Sequence, residues 1–194
     1  VIGAGYVGEI VLAFIFRDID AKSHKGGPTA AVLALHNPAV KVTVLDRDVS
    51  RIASWKSAHL PIHEPGLEPV VRIARDGGSV RQERADYAQL PVGTSEPLSE
   101  ATAREGNLFF STDSASSIAE ADIIFLAVNT PTKYSGRGAG AASDLAALEG
   151  ATRDIARFAK NGAIIVEKST VPCGTANLIS EIVSVICKRC SICG

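Results

Sequence analysis

Val1-Ile2-Gly3-Ala4-Gly5-Tyr6-Val7-Gly8 opens the chain with a Gly-x-Gly-x-x-Gly turn. In a dinucleotide-binding unit such a turn follows a buried strand. Its glycines let the backbone approach a pyrophosphate, and the next helix aims its first N–H groups at the phosphate charge. Here the helix signal Gly27-Pro28-Thr29 comes only after Glu9–Gly26, whose first half carries the apolar run Ile10-Val11-Leu12-Ala13-Phe14-Ile15-Phe16. The motif expects an acidic residue roughly 20 positions beyond its third glycine, where the second strand ends. The strand Lys41-Val42-Thr43-Val44-Leu45 does end in Asp46, but 38 residues past Gly8; leaving out the 18 residues 9–26 brings the separation to 20. The spacing therefore predicts that Glu9–Gly26 is an insertion between turn and helix, that Gly27 is the successor of Gly8, and that the first strand is Val1-Ile2.

Further along, short apolar strands alternate with helical stretches. Strands are expected at 41–45, 108–111, Ile123–Val128 and Ala163–Val166, and helices at 28–36, 49–58, 65–76, 114–120 and 143–160, with a last helix from near Gly174. That alternation is the pattern of an α/β fold, a doubly wound parallel sheet of the Rossmann type with helices on both faces. Residues 77–106, polar and rich in Gly and Pro without a sustained period, read as a surface excursion.

With 194 residues, 46% of them hydrophobic and 21% charged, the chain has material for one sizeable domain. A net charge of −1 makes no electrostatic case for nucleic acid or an anionic membrane. The run Ile10–Phe16 is too short to span a bilayer, and the first residues lack the basic region of a signal peptide, so a cytoplasmic location is expected. Three of the four cysteines crowd at Cys187, Cys190 and Cys193, unlike a secreted disulfide framework. Neither they nor the adjacent pair His63-Glu64 offers a complete ligand set, and no metal is expected.

In a doubly wound sheet the ligand sits outside the carboxyl ends of the strands. The residues just beyond those ends are the glycines after strand one, Asp46 and Arg51 after strand two, Asn129-Thr130-Pro131-Thr132-Lys133 after strand four, and Glu167-Lys168-Ser169-Thr170-Val171-Pro172 after strand five. Asp46 favours NAD, because a carboxylate accepts hydrogen bonds from the ribose hydroxyls and repels a 2′-phosphate. Arg47 beside it weighs the other way.

GAGYVG, GPTAAVLA, VTVLDRDVSRIASW, LPIHEPGLEPVV, NLFFSTD, ADIIFLAVNTPTK, GAASDLAALE and VEKSTVPCGTA, in this order, resemble the N-terminal domain of the UDP-glucose/GDP-mannose dehydrogenase family, in its eukaryotic UDP-glucose 6-dehydrogenase form. The resemblance implies NAD-dependent oxidation of UDP-glucose to UDP-glucuronate, and a homo-oligomer in the full-length family. It places Gly3, Ala4, Gly5, Tyr6, Val7 and Gly8 on the pyrophosphate loop, Asp46 and Arg51 on the adenosine ribose, and Val128, Asn129, Thr130, Pro131 and Thr132 on one loop over the cofactor. Ser169, Thr170 and Val171 fall on a second such loop, where Thr170 also supports the catalytic water network. The family's nucleophilic cysteine, in a GGxCxxKD context, and its NPEFLAEG segment do not occur in this sequence. The chain is thus expected to carry the cofactor domain, with the substrate domain absent, and to be inactive alone. Glu9–Gly26 reads as an intron translated in frame and 186–194 as a divergent tail. On this reading NAD binding is weakened by the insertion and strengthened by deleting it. A dehydrogenase for GDP-mannose or UDP-N-acetylmannosamine, and a non-catalytic NAD-binding module, are the alternatives.

Overall fold

Seven consecutive apolar residues make the middle of the sheet. In the computed structural model, which describes residues 10–16, 26–78 and 104–186, strand β1 is Ile10–Phe16. It pairs in parallel with β2 (Val40–Asp46) on one side and β4 (Ile123–Leu126) on the other. With β3 (Leu108–Ser111) beyond β2 and β5 (Ile164–Glu167) beyond β4, the order is β3-β2-β1-β4-β5, every pairing parallel. The expected fold class is therefore the observed one.

The place of the first strand is not. Val1-Ile2 lies outside the described residues, and the central position belongs to the segment that the spacing argument set outside the sheet. The physical reason lies in burial on both faces: a central parallel strand must be apolar at successive positions. Ile10–Phe16 meets that demand, with Leu12 and Ile15 nearly buried and Ala13 and Phe14 wholly so.

Alternation along the strands builds two cores. Leu12, Phe14, Val42, Val44, Leu108 and Phe110 face one layer, formed by α1 (Gly26–His36), α2 (Val49–Lys56) and α3 (Leu67–Asp76). Ala13, Ile15, Leu45, Ile124 and Leu126 face the other, formed by α4 (Ser114–Glu120), α5 (Ala146–Phe158) and α6 (Thr175–Ile186). Two ring stacks tie the first core together: Phe14 on Phe125, centroids 4.5 Å apart, and Trp55 on Phe110 at 5.5 Å. The start of α1 packs tightly there, for a Cβ on Gly27 would come within 2.3 Å of the Trp55 ring.

Helix ends follow local chemistry. Asp48 caps α2 by accepting from the Ser50 and Arg51 amides, and Asp113 caps α4 by accepting from that of Ser116. Helix α5 begins later than expected, because Asp144 N–H donates to the Pro131 carbonyl at 2.6 Å and holds the preceding residues in a loop. The expected excursion 77–106 is anchored at both ends. Gly78 and Arg104 exchange backbone hydrogen bonds of 3.0 and 3.3 Å, and the Arg104 guanidinium donates to the Ala34 and Leu35 carbonyls and to Asn107 Oδ1. Asn107, nearly buried, donates its amide to the carbonyls of Ala34, Asn37 and Val40. The end of α1, the start of β2 and the entry to β3 thus meet on one side chain. Residues 79–103, like the tail 187–194, lie outside the described residues.

Candidate cofactor site

In-register parallel pairing brings all five strand ends to one edge: Leu45 is level with Ile15 and Ser111, Ile15 with Leu126, and Leu126 with Glu167. The residues just past those ends share that edge, which in this topology is where a ligand binds.

Asp46 ends β2 and is only 6% exposed. Its Oδ1 accepts from the Asp48 N–H at 2.9 Å and its Oδ2 from the Arg51 guanidinium at 2.5 Å. Arg51 also reaches Asp48, at 3.6 Å. One turn into α2, a residue five positions on comes back over the strand end, so Asp46 and Arg51 act as one paired unit. Arg47 departs to the opposite face, where its guanidinium donates to Asp154 Oδ2 of α5 at 2.6 Å.

Across β1, the loops after β4 and β5 are stitched into one surface. The Val128 N–H donates to Ser169 Oγ at 3.0 Å, and that hydroxyl donates to the Leu126 carbonyl at 3.2 Å. Thr130 Oγ1 donates to the Thr170 carbonyl at 2.6 Å. Thr132 bridges Ser143, and Lys133 N–H donates to the Ala142 carbonyl at 2.8 Å, closing a glycine-rich arm that carries Tyr134 outward. Val128 is buried, while Asn129, Thr130, Pro131, Ser169 and Val171 are half-buried and Thr132 and Thr170 exposed. The structure therefore brings Val128–Thr132 and Ser169–Val171 together, with Asp46 and Arg51 one strand away.

Glu167 adds a group that its motif alone does not single out. Its Oε1 accepts from the Ser169 N–H at 2.8 Å, whereas Oε2 is buried with no hydrogen-bond partner among the described residues. Burial pushes this carboxyl above the ordinary range, against the pull of the Ser169 contacts. An acidic residue closing an apolar strand is the only sequence signal, and it also fits a solvated ion pair with Lys168.

The glycine turn Gly3, Ala4, Gly5, Tyr6, Val7, Gly8 lies outside the described residues. In chain order it precedes β1, whereas a dinucleotide turn follows its central strand. Between Phe16 and Gly26 the sequence is Arg17-Asp18-Ile19-Asp20-Ala21-Lys22-Ser23-His24-Lys25, which holds no glycine. The Asp46 carboxylate with Arg51 and the two polar loops at the carboxyl edge have the chemistry to hold NAD, which when bound supplies a hydride acceptor.

His63 and Glu64 lie elsewhere, lining an open cleft of about 510 Å³ with His59, Leu60 and Glu68. No group of three or more His, Cys, Asp or Glu side chains placed to hold a metal ion occurs among the described residues. Nor is any helix among them long and apolar enough to cross a membrane. Cys173 is a free, exposed thiol.

Comparison with known proteins agrees with this geometry. The profile of the UDP-glucose/GDP-mannose dehydrogenase family, NAD binding domain, matches residues 21–94 and 89–190. UDP-glucose 6-dehydrogenase 1 of Glycine max is 42% identical over 183 residues, covering 94% of this chain and 28% of that protein. The UDP-glucose 6-dehydrogenase of Drosophila melanogaster is 41% identical over 93% of this chain, again 28% of its own length. The chain thus spans little more than a quarter of the curated relatives it matches. Among solved structures, a UDP-glucose dehydrogenase from the archaeon Pyrobaculum islandicum superposes with a TM-score of 0.63 at 22% identity, over 97% of this chain and 36% of that one, a likeness of fold. Sheet order, carboxyl-edge loops and profile agree: the chain belongs to the UDP-glucose/GDP-mannose dehydrogenase family and represents its NAD-binding domain.

Proposed function

We propose that this chain holds NAD for the oxidation of UDP-glucose to UDP-glucuronate, the substrate being that named for its curated relatives. The observation that carries the reading is the carboxyl edge itself, with Asp46 and Arg51 on one side of β1 and the interlocked Val128–Thr132 and Ser169–Val171 loops on the other. Asp46 and Arg51 take the adenosine ribose. The two loops cover the rest of the cofactor, and Thr170 supports the catalytic water. The pyrophosphate role that the resemblance gives to Gly3–Gly8 does not carry over, because in chain order these residues precede the central strand instead of following it, so NAD binding is weak. UDP-glucose and a homo-oligomeric assembly are those of the full-length family, and a cytoplasmic setting suits the cysteines of this chain.

Calorimetric titration tests the reading. NAD is expected to bind the chain, and Asp46→Ala to weaken NAD about tenfold or more while affecting NADP far less, since the lost carboxylate contacts the ribose hydroxyls. Equal weakening of both, or none, removes Asp46 from the site. With UDP-glucose and NAD together the chain is expected to produce no NADH, because the family's cysteine motif does not occur in it.

A further inference from the structure

Asp46 and Arg47 stand next to each other at the end of β2 and carry opposite messages for the cofactor. A carboxylate there suits two free ribose hydroxyls, whereas an arginine suits a 2′-phosphate. The structure separates them. Asp46 turns toward α2 and its Arg51 partner. Arg47 continues the strand alternation onto the face where Leu45 packs, and its guanidinium is taken by Asp154 at 2.6 Å. The pair is unequally exposed: the Arg47 side chain is 59% accessible, and that of Asp154 only 16%. A carboxylate rooted in a helix and largely covered is a fixed acceptor, while the long arginine is the mobile partner that it positions.

We infer that Asp154 is a specificity-determining positioning residue: it withholds Arg47 from the 2′ position of the cofactor and so keeps the site selective for NAD over NADP. The inference rests on the cofactor reading above. The Cα of Arg47 stands one step, about 3.8 Å, from that of Asp46, close enough for a released guanidinium to swing to a phosphate on that ribose. With Asp154 in place, its charge is already met.

Titrations of NAD, NADP and ADP-ribose against the full chain and its variants test this. Asp154→Asn is expected to raise NADP affinity about tenfold, the effect of one charge-assisted contact at a partly exposed site, and to leave NAD within about twofold. Asp154→Glu restores the parent ratio, and adding Arg47→Ala to Asp154→Asn abolishes the gain. A purely structural role for Asp154 would move NAD and NADP alike. Arg47→Ala alone, at an exposed position, should leave the parent ratio unchanged; a several-fold loss of NADP affinity there would mean Arg47 already reaches the phosphate, and would overturn the inference. A parent chain that binds NAD, with an Asp154→Asn ratio that does not move, overturns the inference alone. A parent chain that binds neither NAD nor ADP-ribose overturns the cofactor reading and the inference with it.

Discussion

Phe14→Ala decides between the two accounts of the first thirty residues. Phe14 is fully buried in the middle of β1, and its ring lies flat on Phe125, the planes 4° apart. Truncating a buried Phe costs about 3–5 kcal/mol, the upper part applying where an aromatic stack worth about 0.5–1.5 kcal/mol goes with it. A value near 4 kcal/mol is expected, because neighbours held on a central strand with a partner on either side cannot collapse into the space. Against a total stability of about 5–15 kcal/mol this is a large fraction. With a urea slope of about 2 kcal/mol/M, it moves the unfolding midpoint down by about 2 M. Circular dichroism follows the sheet and helices, and the fluorescence of the single tryptophan, Trp55, follows the α1–α2 side of the core. Val49→Ala, at a position 70% exposed, is the control and should stay within about 0.5 kcal/mol. An unchanged midpoint and slope for Phe14→Ala would place the apolar run outside the core, as a looped-out insertion requires. Deleting Glu9–Gly26 removes the same strand. The structure therefore expects loss of cooperative unfolding where the spacing argument expects a tighter NAD site.

Asn107→Ala should cost about 3 kcal/mol in the same urea assay, since it removes the amide donor shared by the Ala34, Asn37 and Val40 carbonyls and one of the three acceptors of Arg104, leaving Ala34 only its Arg104 contact; a loss under 1 kcal/mol would mean those carbonyls find other partners. The Glu167 carboxyl, raised in the folded state, binds its proton more tightly there than in the unfolded chain. It therefore favours folding at acid pH and withdraws that support as pH rises from the ordinary glutamate range through the raised folded value. Glu167→Gln should flatten this part of the stability profile, and an unaltered slope would show that the carboxyl does not titrate abnormally. Asp122 acts in the opposite sense. Held down by Lys160 and by the Val11 amide, its contribution is present above the ordinary carboxyl range and is lost as pH falls through its lowered value, so Asp122→Asn should reduce the acid sensitivity of unfolding.

Most of the fold is legible in the residues because period and burial speak for themselves: β2 through β5 and the helices between them lie within a few residues of where apolar runs and caps put them. The central strand is the exception, and its misplacement has a definite cause. Motif spacing made Gly8 adjoin Gly27 and treated Ile10–Phe16 as surplus. Yet a wholly apolar seven-residue run carries a stronger physical demand than a glycine register, since it must be buried somewhere, and the slot between β2 and β4 buries both its faces. At the site, Asp46, Arg51 and the two loops could be read because each stands just past a strand end. The role of Ser169 as the link between loops, the buried Oε2 of Glu167 and the hold of Asp154 on Arg47 could not, because each depends on a neighbour at least 40 residues away or on burial that no local pattern encodes.

The reciprocal hydrogen bonds of Gly78 and Arg104 give this domain a natural graft point. Gly77, in a left-handed conformation that leaves no room for a Cβ beside the Arg104 carbonyl, holds one chain end, and the clamp of Arg104 on α1 holds the other. The sheet receives β3 in register from that pinch whatever length of chain runs between its jaws. Closure entropy grows only logarithmically, so each doubling of that length costs about 0.6 kcal/mol. A reporter domain with adjoining termini, spliced between Gly78 and Arg104, should leave the emission of Trp55 where it was. The cofactor edge, at the far end of β3, should feel nothing of such a graft.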